Sequence, residues 1–147
     1  MDVIKVLQSK NRCLEKLLEL SNVFLAKESS EQSPENFHAE LDSFIRERDA
    51  ILKVLDLYDR KVTEVIRALP LSGRTPELIS NVQAVLNEKD RLIQSIILKD
   101  NELTQRIEDR KRKLQEDLIA SRKSHELAGK FKSTWVSEPG EGFDTTL

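Results

Sequence analysis

The chain has 147 residues, a length that suggests one domain. Charged residues make up 34% of it and aromatic residues 5%, with four glycines, four prolines and a net charge of −2. This profile favours long helices with a narrow apolar seam over a compact sheet protein, and the mixed charge gives no general case for nucleic-acid binding.

The N-terminal sequence and the cysteine content indicate an intracellular protein. The first residues carry charges throughout and lack the continuous apolar stretch of a signal peptide. Nowhere does the chain approach the ~18 consecutive apolar residues of a membrane-spanning helix. The single cysteine, Cys13, excludes an intrachain disulfide and suits a reducing compartment. We therefore expect a soluble, cytoplasmic protein without membrane insertion.

The first predicted helix covers about residues 2–28, and Asp2 can cap its N-terminus. Its apolar residues recur at three- and four-residue steps and so share one stripe. The stripe contains Ile4, Leu7, Leu14, Leu18 and Leu25, with Asn11 and Ser21 at the remaining steps. The sequence SSEQSPEN then interrupts the pattern. Within it, Ser33 and Pro34 mark the start of a second helix.

The second predicted helix covers residues 34–69 and has a regular seam, which argues for coiled-coil-like packing. The seam is formed by Phe37, Leu41, Phe44, Arg48, Ile51, Leu55, Tyr58, Val62, Val65 and Leu69. The sequence PLSGRTP follows, in which Pro70 and Gly73 end this helix and Thr75 caps the next. Because this connection is short, the second and third helices should be antiparallel neighbours.

The third predicted helix covers about residues 76–128. Its seam is Ile79, Val82, Leu86, Lys89, Ile93, Ile96, Asp100, Leu103, Ile107, Arg110, Leu114 and Leu118, and a second stripe contains Leu78, Val85 and Leu92. At 1.5 Å per residue it outlasts the second helix by about twenty residues. The predicted fold is therefore all-α: an antiparallel three-helix, coiled-coil-like bundle over residues 1–131, with a long overhanging third helix. An irregular, flexible tail over residues 132–147 completes it.

Four charged residues interrupt the seams: Arg48, Lys89, Asp100 and Arg110. They either pair across the second and third helices and set the register, or lie in exposed stretches. The sequence leaves both interpretations open.

The sequence offers no catalytic or metal-binding constellation. His38 and His125 are isolated on helices, and no second cysteine or nearby histidine supplies metal-ligand spacing. We therefore predict no enzyme activity, no cofactor and no metal. Residues 106–123 are locally basic, with seven Lys or Arg against four acids. An acidic or nucleic-acid partner is one interpretation, but the interspersed acids favour a solvated helix surface.

The end of the chain carries two aromatic residues, Trp135 and Phe143, on either side of the helix-breaking sequence SEPGEG. One interpretation is a disordered tail with loosely packed aromatics. The other is a short motif that anchors a partner or covers the overhang, because aromatic side chains bury much area at low entropic cost.

Four stretches carry a resemblance to a known family: LEKLLEL, FIRERDAILKVLDLYDRKVTEVI, VLNEKDRLIQSIILKDNELTQRI and FKSTWVSEPGEGFD. In size and in these stretches the chain resembles the small helical flagellar export chaperones. These serve the filament-cap and hook–filament-junction proteins in bacterial type III export. The resemblance covers most of the chain.

The resemblance implies a non-enzymatic chaperone that holds the helical C-terminal segment of a flagellar cap or hook-associated protein. It would keep this client unassembled and deliver it to the export apparatus. The implied partner-binding residues are Leu103, Ile107, Leu114, Leu118 and Leu127 along the third helix, with Trp135 at the place of a family tyrosine and Phe143 in the tail. The alternative is a homodimeric coiled-coil scaffold or adaptor in which two overhangs pair.

Overall fold

The computed structural model of the protein describes residues 2–27 and 32–135, with side chains up to residue 130. It contains three α-helices: α1 (Val3–Lys27), α2 (Pro34–Ala68) and α3 (Pro76–Trp135). A short 3₁₀ turn, Leu71–Gly73, lies between α2 and α3, and no strand occurs in the described ranges. The prediction of an all-α, three-helix bundle is confirmed.

Side chains cap the start of each helix as the sequence predicts. Asp2 accepts a hydrogen bond from the amide two residues further on, at 3.1 Å. Ser33 and Thr75 each accept one from the amide three residues further on, at 3.2 and 3.1 Å. Each bond satisfies one of the amides that a helix leaves without a partner in its first turn.

The chain divides into two units, residues 1–104 and residues 105–147. In the first unit, α1 is buried along two stripes, where the sequence predicts one. Its buried residues are Val3, Val6, Leu7, Asn11, Cys13, Leu14, Leu17, Ser21, Phe24 and Leu25. The single predicted stripe was therefore incomplete, because α1 packs against α2 and α3 at the same time.

The core of the first unit forms two clusters, and their order along the chain defines the topology. One cluster contains Cys13, Leu14 and Leu17 of α1, Leu55 of α2, and Leu92 and Ile96 of α3. The other contains Phe24 and Leu25 of α1, Phe44 of α2 and Leu103 of α3. Along α1 and α3 the residues of the first cluster precede those of the second, and only α2 has the reverse order. It therefore runs antiparallel to α1 and α3, as predicted.

The predicted seam of α2 is confirmed, whereas that of α3 needs a correction. Every predicted seam position of α2 is buried or half-buried. On α3, Ile79 is 60% exposed and Ile93 is 37% exposed, while Leu92 of the second stripe is 2% exposed. Leu92 of the second stripe faces the core because α1 packs against this side of α3. The Asn11 side-chain amide of α1 donates a hydrogen bond to the Val85 carbonyl at 3.1 Å.

Two of the charged residues that interrupt the seams pair across helices. The Arg48 guanidinium donates two hydrogen bonds to the Asp100 carboxylate, at 2.8 and 2.9 Å, and joins α2 to α3. Lys10 of α1 also forms an ion pair with Asp59 of α2. Pairing, rather than simple exposure, is thus the correct interpretation of Arg48 and Asp100.

The predicted end of the third helix, at about residue 128, was wrong, because α3 continues through Gly129 to Trp135. Gly129 does not adopt the left-handed conformation that ends many helices, and a Cβ added to it would meet nothing within 4 Å. A lone glycine inside a helix costs only about 1 kcal/mol relative to alanine. The helix-forming residues on either side of Gly129 therefore keep α3 continuous through it.

Candidate partner-binding surface

The segment from residue 105 to residue 130 of α3 has no buried side chain. Four large apolar residues in it are well exposed: Leu114 at 45%, Leu118 and Ile119 at 53%, and Leu127 at 67%. Large apolar side chains that cluster on a surface mark interaction sites more often than isolated ones do. Their arrangement around the helix therefore decides whether they can act together.

Three apolar residues of this segment lie on one side of the helix, and we call them the apolar stripe: Ile107, Leu114 and Leu118. Leu114 follows Ile107 by seven residues and Leu118 follows Leu114 by four. These steps correspond to about two turns and about one turn of helix. Ile107 is half-buried, and the two leucines are exposed. Such a stripe has the shape that accepts an amphipathic helix by groove packing.

Leu103 belongs to the core, which corrects its predicted place in a partner-facing groove. It is 4% exposed and packs in the cluster that contains Phe24 and Phe44. The rings of these two phenylalanines lie 4.8 Å apart between centroids. Because Leu103 closes this aromatic cluster, a partner cannot reach it without opening the bundle.

Leu127 lies on a different side of α3 from the apolar stripe. It follows Leu118 by nine residues, which is about two and a half turns of helix and places it on the opposite side. Ile119 is adjacent to Leu118 and is turned about 100° away from it. The predicted groove of five residues is therefore reduced to the stripe, and Leu127 and Ile119 form no continuation of it.

The two aromatic residues in the predicted site cannot be placed against the stripe. Trp135 is the last residue of α3, and its side chain lies outside the described ones. Phe143 lies outside the described residues altogether. Both stay predictions.

The surface of the first unit carries exposed apolar side chains that the seam analysis passed over. The most exposed are Leu57, Leu71, Ile97 and Leu98. Ile97 and Leu98 follow Ile96 in a continuous apolar run, so they face away from the core that Ile96 enters. Such a run in an amphipathic helix is the signal that could have identified them, because one helix side cannot bury three successive residues.

No catalytic geometry is apparent among the side chains that the structure describes. No group of three or more His, Cys, Asp or Glu in that part of the chain could hold a metal ion. Cys13 is buried in the core. The Glu88 carboxylate has its pKa lowered by a hydrogen bond from Arg91, with Nη2 and Oε1 2.5 Å apart. This pair joins neighbouring turns of α3.

A shallow groove of about 420 Å³ lies between α1 and α3. It is lined by Gln8, Asn11, Arg12, Glu15, Ala84, Val85 and Glu88. The mixed charges and the absence of an aromatic or histidine from this lining suit a solvated groove better than a small-molecule site.

Comparison of the chain with protein-family models, with curated proteins and with solved structures found no match. The flagellar resemblance therefore stays a prediction from the sequence. None of the helices in the described part of the chain combines the length and apolarity needed to cross a membrane.

Proposed function

We propose that this protein is a helix-binding export chaperone of the flagellar type. It would bind the helical C-terminal segment of a cap or hook-associated protein, hold it unassembled in the cytoplasm and deliver it to the export apparatus. The observation that carries the helix-binding part is the exposed apolar stripe on α3. The flagellar part rests on the sequence resemblance.

The stripe supports this function because its apolar side chains lie together on one side of the helix, where a single partner helix can cover them. Leu114 and Leu118 lie about one turn apart on α3, which continues beyond Leu103, the last buried residue among the described side chains. An amphipathic client helix would cover both leucines and bury their apolar surface, at about 25 cal/mol per Å². Holding such a client requires no catalytic group.

The first experiment measures light scattering after size-exclusion chromatography. The protein is run alone and then mixed with C-terminal fragments of flagellar cap and junction proteins. We expect a new complex of defined stoichiometry with one fragment. If no fragment forms a complex, the flagellar assignment is wrong. A tight homodimer that ignores every fragment would favour the scaffold.

A pair of matched variants tests whether the stripe is the binding surface. We expect Leu114→Asp with Leu118→Asp to remove client binding, because two charges would be buried without partners. Both leucines are exposed, so the melting temperature of the protein should change little. A large loss of stability with retained binding would show instead that these leucines belong to a core.

The control changes two residues of the same segment on other sides of the helix. Ile119→Asp with Leu127→Asp introduces the same charge at positions at least as exposed. We expect this variant to bind the client with nearly unchanged affinity. Equal losses in both double variants would mean that added negative charge, rather than the stripe, controls binding.

A further inference from the structure

Basic residues flank the apolar stripe more closely than acidic ones do. Lys111 follows Ile107 by four residues, and Arg122 follows Leu118 by four, so each lies beside the stripe. We take the axis of the stripe as the direction, viewed down the helix, on which Ile107, Leu114 and Leu118 centre. On a regular helix Lys111 and Arg122 are turned about 40° and 60° from this axis of the stripe. The nearest acid, Asp117, is turned about 80° away.

The other acids lie further around the helix, and at least one of them has local partners. Asp109 is turned about 160° from the axis of the stripe, and Glu116 lies directly behind it. The Asp109 carboxylate accepts hydrogen bonds from Arg112 at 2.6 Å and from Gln105 at 3.0 Å. Its charge is thereby held on the side away from the stripe.

The charge of this segment also differs from that of the whole chain. Residues 105–130 contain eight Lys or Arg and five Asp or Glu, whereas the chain has a net charge of −2. The excess of positive charge therefore coincides with the part of α3 that has exposed leucines and no buried side chain. A partner that docks on the stripe meets apolar surface bordered by positive charge.

We propose that the partner helix is acidic, with an apolar stripe of its own flanked by Asp or Glu. This inference rests on the proposed function, because it assumes that a helix occupies the stripe. Complementary charge at the rim would direct the encounter and set the register, while the apolar contact would supply most of the affinity.

Two other occupants fit the observations less well. Nucleic acid would use the basic residues but would gain little from the leucines, and the acids of the segment would repel its phosphates. In an antiparallel pair of two copies of this chain, the flanks that carry Lys111 and Arg122 would face each other. Like charges would then meet along the seam.

The test uses the full-length protein and two synthetic amphipathic peptides of about 25 residues, long enough to form helices. Both have the same leucine heptads; glutamate flanks the leucines in one and lysine in the other. Binding is measured by fluorescence anisotropy at low and high salt. We expect the glutamate peptide to bind about tenfold more tightly at low salt, with a smaller difference at high salt.

Two charge-reversal variants locate the effect. Lys111→Glu with Arg122→Glu should remove most of the preference for the glutamate peptide. Arg112→Glu with Lys123→Glu makes the same change in net charge, but these residues are turned about 140° and 160° from the axis of the stripe. This control should keep the preference within about twofold, as expected of exposed charges with no direct contact to the partner.

The outcomes separate this inference from the proposed function. Equal affinity for the two peptides would overturn the acidic partner and leave helix binding intact. No affinity for either peptide would overturn both. The inference also fails if the lysine peptide or a duplex DNA binds more tightly than the glutamate peptide, or if the control variant loses as much preference as the first.

Discussion

Arg48 and Asp100 form a bidentate ion pair between α2 and α3, and both side chains are partly buried. Along α2, Arg48 lies between Phe44 of one core cluster and Leu55 of the other. A charged pair between two apolar clusters opposes any shift of one helix along the other, because the shift would leave a charge unpaired and partly buried.

We expect Arg48→Ala to lower the free energy of unfolding by about 1–2 kcal/mol, between the values for exposed and fully buried pairs. Urea denaturation measures the change. Arg60→Ala is the matched control, because Arg60 pairs with Asp56 on the same helix and both are exposed. It should cost less than about 0.5 kcal/mol. Equal costs for the two variants would show that the pair across the helices contributes nothing of its own.

At the scale of single helices, α1 and α3 differ in how their apolar residues are used. In α1 they occupy two stripes and nearly all are buried, because the helix contacts both of its neighbours. Those of α3 are buried at Leu92, Ile96 and Leu103, and after Leu103 no side chain is buried up to residue 130. Helix propensity, rather than a buried core, therefore maintains the described part of α3 after Leu103.

A substitution at Gly129 tests whether helix propensity maintains this part of α3, because glycine is the weakest helix former in the segment. We expect Gly129→Ala to slow amide hydrogen exchange in residues 125–130 about fivefold, because alanine is favoured by about 1 kcal/mol in a helix. The added Cβ has open space around it. Unchanged exchange would mean that the helix is not present at this position in solution.

Global stability serves as the control for the glycine variant. The midpoint of thermal unfolding should stay within about a degree for Gly129→Ala, because the core clusters lie in residues 13–103. A clear rise of the midpoint would show that the end of α3 unfolds together with the bundle.

At the scale of the whole molecule, the first unit contains every buried side chain in the described ranges. We expect a chain that ends at Arg110 to unfold cooperatively, with a free energy of unfolding within about 1 kcal/mol of the full-length value. It should also lose client binding, because Leu114 and Leu118 are absent. Thermal unfolding followed by circular dichroism, together with the chromatography above, checks both expectations.

The opposite truncation is the control. A chain that starts at Ser33 lacks α1 and with it ten buried residues, so it should not fold into a stable unit. If it unfolds with the same midpoint as the full-length protein, α1 is not the centre of the core. If the chain that ends at Arg110 is itself unfolded, the last part of α3 stabilises the bundle.

The sequence alone determined the three helices, their caps and the seam of α2. Helix starts depend on local chemistry, in which Ser33 and Thr75 each bond to an amide three residues away. The α2 seam was predictable because α2 is amphipathic with a single regular stripe, and only one orientation buries it. The exposed leucines after residue 105 were also predictable, because the sequence makes the third helix about twenty residues longer than the second.

Only the tertiary structure decided which apolar residues of the two α3 stripes enter the core: Leu92 of the second stripe, and Ile96 and Leu103 of the first. Leu92 and Ile93 are adjacent and both apolar, so the pattern alone could not rank them. The position of α1 buries Leu92 and exposes Ile93. The same packing moves Leu103 into the core and out of the predicted groove. The exposed apolar stripe is the part of the α3 pattern that the bundle does not bury, because burial depends on neighbouring helices that the local sequence does not specify.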